Sequence, residues 1–239
     1  GIIDNELMHE VVSWRQDIHA NPEMAFQEHR TSALVAEKLS SFGYEVQTGI
    51  AKTGVIGTIK FGAGPSIALR ADMDALPIHE QTDLPYASET HGCMHACGHD
   101  GHTAIMMGVA KSLSNRTDLN GTLHIIFQPA EENEGGARAM IESGLLNDYH
   151  FDAIYALHNM PGLPVGQMKV QAGAMLASFD KFDITVSGQG GHGAFPELAQ
   201  DSILAASELV SAINTIVSRN VAATDATVLT IGHFEALGT

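Results

Sequence analysis

Basic residues are scarce in this chain of 239: 12 lysines and arginines stand against 28 aspartates and glutamates, a formal charge of -16. Such a surface offers nothing to hold a phosphate backbone or an anionic lipid layer, so neither nucleic acid nor a membrane is an expected partner. Long apolar runs are missing too. No stretch approaches the roughly 18 uninterrupted apolar residues of a spanning helix. The first residues, Gly1-Ile2-Ile3-Asp4-Asn5, show no basic segment followed by an apolar one, which makes a cytoplasmic setting the expectation. Cysteine is nearly absent. Cys93 and Cys97 lie four residues apart beside several histidines, a spacing that suits metal binding better than a disulfide framework; two inert buried thiols are the alternative. There is no internal repeat or low-complexity tract, and the charged runs are too short for disorder. An apolar content of 44% is enough for a substantial core, in one large domain or two.

Helical and strand patterns alternate along the first two thirds. Residues 6–19 place Leu7, Val11, Val12 and Ile18 at near-helical spacing, and residues 31–42 repeat the pattern with Leu34, Val35, Leu39 and Phe42 before Gly43. Short β-branched runs at 55–59, 66–69, 123–127 and 153–157 read as buried strands. Helices are expected at 102–113, capped by Asp100, and at 134–141, ending near Gly144. This order is that of an α/β domain. After Gly173 the texture changes: 179–186 alternates as a half-exposed strand, Gly188-Gln189-Gly190-Gly191 turns the chain, 201–217 is a long amphipathic helix, and 226–231 is a second strand. A small second module is expected from 178 to 239, following a larger α/β domain at 1–177.

In open α/β sheets, functional side chains gather where strands end and helices begin. Asp72 follows one strand, Glu131 and Glu132 follow another, and His158 closes a third, while Cys97 and His99 precede a helix. A thiol, imidazoles and carboxylates at such ends are the parts of a divalent-metal hydrolase. A metal that holds water needs anionic or imidazole ligands, a carboxylate to orient an imidazole, and a further carboxylate, not a ligand, to take the proton. The adjacent glutamates suit this division, since neighbours in an extended segment point to opposite sides. Held that close, with one neutralised by metal, their proton affinities would separate.

Four ordered strings carry a resemblance: Leu69-Arg70-Ala71-Asp72-Met73-Asp74-Ala75-Leu76-Pro77-Ile78, Met94-His95-Ala96-Cys97-Gly98-His99-Asp100-Gly101-His102-Thr103-Ala104, Phe127-Gln128-Pro129-Ala130-Glu131-Glu132, and Gly188-Gln189-Gly190-Gly191-His192-Gly193-Ala194. They resemble the M20 metallopeptidase family, in its amidohydrolase branch of hippurate hydrolase, auxin-amide hydrolases and N-acetyl-diaminopimelate deacetylase. The likeness extends from the segment Arg15 to Glu23 to the last expected strand. It implies a zinc-peptidase-like α/β catalytic domain, a mixed sheet flanked by helices, with the start of a small α+β, ferredoxin-like dimerisation or lid domain. It further implies a centre of two divalent ions (zinc, manganese, cobalt or nickel) with Cys97, His99, Glu132 and His158 as ligands and Glu131 as general base. Asp72 matches the acid that orients a ligand, although Arg70 stands where other members place a ligand histidine. His192 matches a histidine that reaches the partner subunit's site to steady the oxyanion, which implies a homodimer through the small module. Members continue well past this chain's end, supplying one more histidine ligand and the rest of both domains, so this piece alone is expected to be inactive and poorly stable.

The implied reaction is hydrolysis of N-acyl amino acids to a carboxylate and a free amino acid. A dipeptidase or aminopeptidase of the same family is one alternative; a non-catalytic protein that keeps the metal site for binding is another, and retention of Glu131 and His192 argues against it. His95 and His102 either line the site or merely pack beside it. Asp74 supports Asp72 or braces its turn. His19, His79, His91, His124, His150 and His233 read as surface or supporting groups, and Arg219 as an exposed helix end with a possible part in holding a substrate carboxylate.

Overall fold

The computed structural model describes residues 4–132, 134–176 and 178–237. Two compact units are present, Gly1–Ala172 and Gly173–Thr239. The boundary expected at 177/178 rests partly on residue 177, outside the described residues, as do Gly1-Ile2-Ile3 and the last two residues.

Unit 1 is organised around one strand. β4 (Thr122–Gln128) lies at the centre of a five-stranded sheet in the order β1-β2-β4-β3-β5, with β1 at Glu45–Ile50, β2 at Gly54–Lys60, β3 at Ser66–Asp72 and β5 at Ala153–Ala156. β1, β2 and β4 run antiparallel; β4, β3 and β5 run parallel. Side chains alternate across a pleated strand, and the run Leu123-His124-Ile125-Ile126-Phe127 serves two cores in this way. Leu123, Ile125 and Phe127 join Val55, Ala71 and Met73 under α1 (Asn5–Ala20), α2 (His29–Ser41) and α3 (His99–Ser114); Ile126 joins Ile56 and Ala68 under α4 (Gly136–Glu142) and α5 (Leu145–Asp148). Both faces are covered.

Two of the helices start on side-chain caps. The Asp4 carboxylate accepts the Leu7 N–H at 2.8 Å and starts α1, and Asp201 caps α6 (Ser202–Asn220) through Leu204 at 2.9 Å. α3 starts differently from the expectation. Its cap is Gly98, at φ +92° and with no side-chain cap bond; Asp100 instead turns inward to Arg15 and His19, both at 2.8 Å. α4 begins at Gly136, later than the expected 134.

Unit 2 corrects two further expectations. Among its described residues there is one 3-10 turn (Pro196–Leu198) and α6, which buries none of its residues. The runs 179–186 and 226–231 are irregular. Alternation gives a segment two faces, but a strand also needs a hydrogen-bonded neighbour. Here only Gln189 and Gln200 form a bridge, so the described residues of this unit hold a long helix and no sheet.

Candidate metal centre

The parallel register fixes where the side chains converge. Asp72 pairs with Gln128 and Arg70 with Ala156, so β3, β4 and β5 end on one edge of the sheet. Asp72 closes β3, Glu131 and Glu132 lie just past β4, His158 just past β5, and His99 opens α3 beside them. Gly98 makes that opening possible. A Cβ there would lie 2.6 Å from the Asn159 side chain, in a left-handed backbone conformation that L side chains rarely adopt.

His99 is the hub. Fully buried, it takes part in three groups whose potential ligand atoms lie within 4.8 Å of one another: Cys97, His99 and His158; Asp72, His99 and His102; and His99, Glu131 and Glu132. Its Nδ1 faces the Asp74 carbonyl at 2.9 Å and the Asp74 carboxylate at 3.2 Å, both acceptors, so Nδ1 carries a proton. Nε2 has no hydrogen-bond partner although it is buried, and the Asp72, Glu131 and Glu132 oxygens stand 3.8, 3.8 and 3.9 Å from it. A buried imidazole nitrogen ringed by three carboxylates at non-bonding distance fits a cation held among them.

Electrostatics points the same way. Burial disfavours charge on His99, yet Asp74, Asp72 and Glu131 outweigh it and push the imidazole up to about 9, so without another cation the ring holds a proton. Cys97 is driven up to about 12 by burial and by Glu132, Glu131 and Asp72; its thiol becomes a ligand only when a cation offsets those acids. For Asp72, burial would raise proton affinity, but the hydrogen bond from His102 and the charges of His99 and Arg70 hold it at about 2. Glu131 moves upward, through burial and then through repulsion by Glu132.

Of the residues singled out in the sequence, Cys97, His99, Glu132, His158, Asp72 and Glu131 come together. His158 donates from Nδ1 to the Asn159 carbonyl at 2.6 Å, leaving Nε2 toward the Cys97 Sγ at 3.5 Å. Asp74 braces more than a turn: its second carboxylate oxygen accepts the Glu132 N–H at 2.9 Å, so one side chain holds both the His99 imidazole and the Glu132 backbone. His102 sits in the site as a support. It donates from Nδ1 to Asp72 at 2.7 Å and accepts the Asn159 N–H on Nε2 at 3.1 Å, which leaves it no free lone pair for a metal. His95 is buried with neither nitrogen bonded, and burial lowers it to about 4, so it is neutral. His192 lies in unit 2.

Sequence reasoning read His19 as a surface or supporting group, and it is a buried support; its companions Arg15 and Glu80 were missed. Arg15 and His19 hold Asp100, the residue after His99, and Glu80 lies 3.0 Å from the His19 Nε2. A polar residue at each turn of α1, Arg15 and His19, was the available signal.

The sequence profile of the family described as Peptidase family M20/M25/M40 matches residues 68–236. The chain belongs to the M20 peptidase family. This M20 chain is 50% identical over 232 residues to hippurate hydrolase of Campylobacter jejuni, covering 97% of this chain and 60% of that protein. It is 44% identical over 229 residues to N-acetylcysteine deacetylase of Bacillus subtilis, covering 95% and 60%. A Bacillus subtilis crystal structure described as a dinuclear metal binding peptidase of the family shares 47% identity and a TM-score of 0.64, over 69% of this chain and 46% of its own. The chain therefore spans about 60% of the length of the curated relatives it matches.

The charge cage around Cys97 is testable. With the thiol near 12, only about one molecule in ten thousand carries the thiolate at pH 8 in metal-free protein. Iodoacetamide should then modify Cys97 far more slowly than an unfolded control peptide, and alkylation at the control rate would contradict the cage.

Proposed function

We propose that the protein containing this chain is a metal-dependent amidohydrolase that cleaves the amide bond of N-acyl amino acids. The observation that carries this reading is the orphaned, buried His99 Nε2 among three carboxylates, one of which, Glu131, stays 40% exposed beside the others. The names of the two curated relatives, a hippurate hydrolase and an N-acetylcysteine deacetylase, support the substrate class. Two divalent ions, held by Cys97, His99, Glu132 and His158 and drawn from zinc, manganese, cobalt or nickel, would polarise the amide carbonyl and make water a better nucleophile.

The chain's own groups supply the proton chemistry. Glu131 is the general base: its raised proton affinity brings a carboxylate closer to neutral pH, where it can take a proton from water and return it to the leaving amine. Asp72, held ionised by Arg70 and His102, fixes the orientation of the groups around His99. His192 donates a hydrogen bond to the developing oxyanion in the site of a partner subunit, which makes the working form a homodimer through the 178–239 module, with 1–177 as the catalytic domain. A cytoplasmic setting belongs to the same reading, supported by two unpaired cysteines. Among the described residues no helix is long and apolar enough to cross a membrane.

In the full-length protein, Glu131→Gln should lower kcat by about a hundredfold to ten-thousandfold while bound metal, measured by atomic emission, stays at the wild-type level. Retained turnover would remove the base assignment, and loss of metal would make Glu131 a ligand. An assay panel of N-acetyl, N-benzoyl and dipeptide substrates separates the amidohydrolase from a dipeptidase. His192→Ala subunits mixed with Glu131→Gln subunits should regain activity that neither shows alone; no regain would contradict a shared site.

A further inference from the structure

Glu28 is a fully buried carboxylate at the start of α2, remote in sequence from every ligand. One oxygen accepts the Ala130 N–H at 2.9 Å and the Phe26 N–H at 3.1 Å; the other accepts the Thr53 hydroxyl at 2.5 Å. Two of these partners, Phe26 and Ala130, sit in left-handed backbone. Among the described residues, positive φ at a non-glycine position occurs at Phe26, Ala51, Lys52, Asp83 and Ala130. Phe26 and Ala130 donate to Glu28 directly, and the pair Ala51-Lys52 leads into Thr53, so the strained backbone of three separate segments converges on one side chain.

Ala130, at φ +50°, is the residue that turns the chain from β4 into Glu131 and Glu132. Its carbonyl is held from the other side by the Gly136 N–H at 2.9 Å, at a position where a Cβ would lie 1.7 Å from the Pro129 carbonyl oxygen. We propose that Glu28 is a positioning residue for the reaction: its carboxylate holds the Ala130 elbow, and the elbow aims Glu131 and Glu132 in their different directions. This rests on the reading of Glu131 as base. Where Asp74 fixes the Glu132 N–H, Glu28 fixes the turn before it, and the two acids together leave this segment little freedom.

The test uses the full-length, metal-loaded protein and an N-acyl amino acid that the wild type hydrolyses. Glu28→Ala and the shortened Glu28→Asp should each lower kcat by about tenfold or more with KM within about threefold, and bound metal should not change. Peptides covering 129–134 should exchange amide hydrogens faster, in metal-free protein as well as loaded. Glu28→Gln keeps an acceptor for Ala130 and, through its amide, a partner for the Thr53 oxygen, so it should recover most of kcat and the slow exchange. If Glu28→Ala does not fold, Glu28→Asp carries the comparison. Wild-type kcat in a folded Ala or Asp variant, or a kcat loss with no change of exchange at 129–134, overturns the proposal. Glu131→Gln run in parallel separates the two claims: full turnover there removes the base assignment on which the proposal rests, whereas a dead Glu131→Gln beside unaffected Glu28 variants removes only the positioning role.

Discussion

Three carboxylates, from Asp72, Glu131 and Glu132, stand within 3.9 Å of one buried imidazole nitrogen, and the rest of the centre is arranged around that crowding of negative charge. Acids packed this closely repel each other unless something positive lies among them. The folded chain answers with the groups it has: Arg70 bonds Asp72 at 2.7 Å, and His99 is driven toward its protonated form. A divalent cation would satisfy the same demand more fully, and would at once turn the Cys97 thiol from a reluctant acid into a ligand.

The scaffold makes this crowding unavoidable. Three strands in parallel register deliver their ends to one edge, and each end carries one of the chemistry-bearing side chains. β4 is locked by apolar packing on both faces, so the residues that follow it start from a fixed point. Buried acids then bond the groups around the cluster, Asp74 to His99 and the Glu132 backbone, Asp100 to Arg15 and His19, and Glu28 to the Ala130 elbow. The geometry of the cluster thus depends on polar groups that cost free energy to bury, each offset by charge-assisted hydrogen bonds.

What the sequence made legible, and what it concealed, follows from the range of the interactions. β2 to β5 and α1 to α3 could be read because apolar periodicity or β-branched runs mark them locally, and the candidate metal cluster because its residue types gather in short strings. β1 could not: Glu45-Val46-Gln47-Thr48 is an edge strand with mostly exposed side chains, and its identity lies in pairing with β2. The inward turn of Asp100 and the role of Glu28 were equally hidden, since their partners lie 85 and 102 residues away. The alternating run 179–186 and the second expected strand at 226–231 show the converse error. Their pattern matched a strand, but no neighbouring ladder among the described residues supports one.

The central claim is that cations occupy the cluster at His99 while Glu131 remains unliganded. An anomalous-scattering map from crystals of the full-length protein grown with zinc tests it most directly. The account predicts zinc within about 2.3 Å of the Cys97 Sγ and about 2.1 Å of the His99 Nε2, with no Glu131 oxygen at bonding distance. Peaks confined to other parts of the molecule, or a Glu131 carboxylate bound directly to the metal, would contradict it.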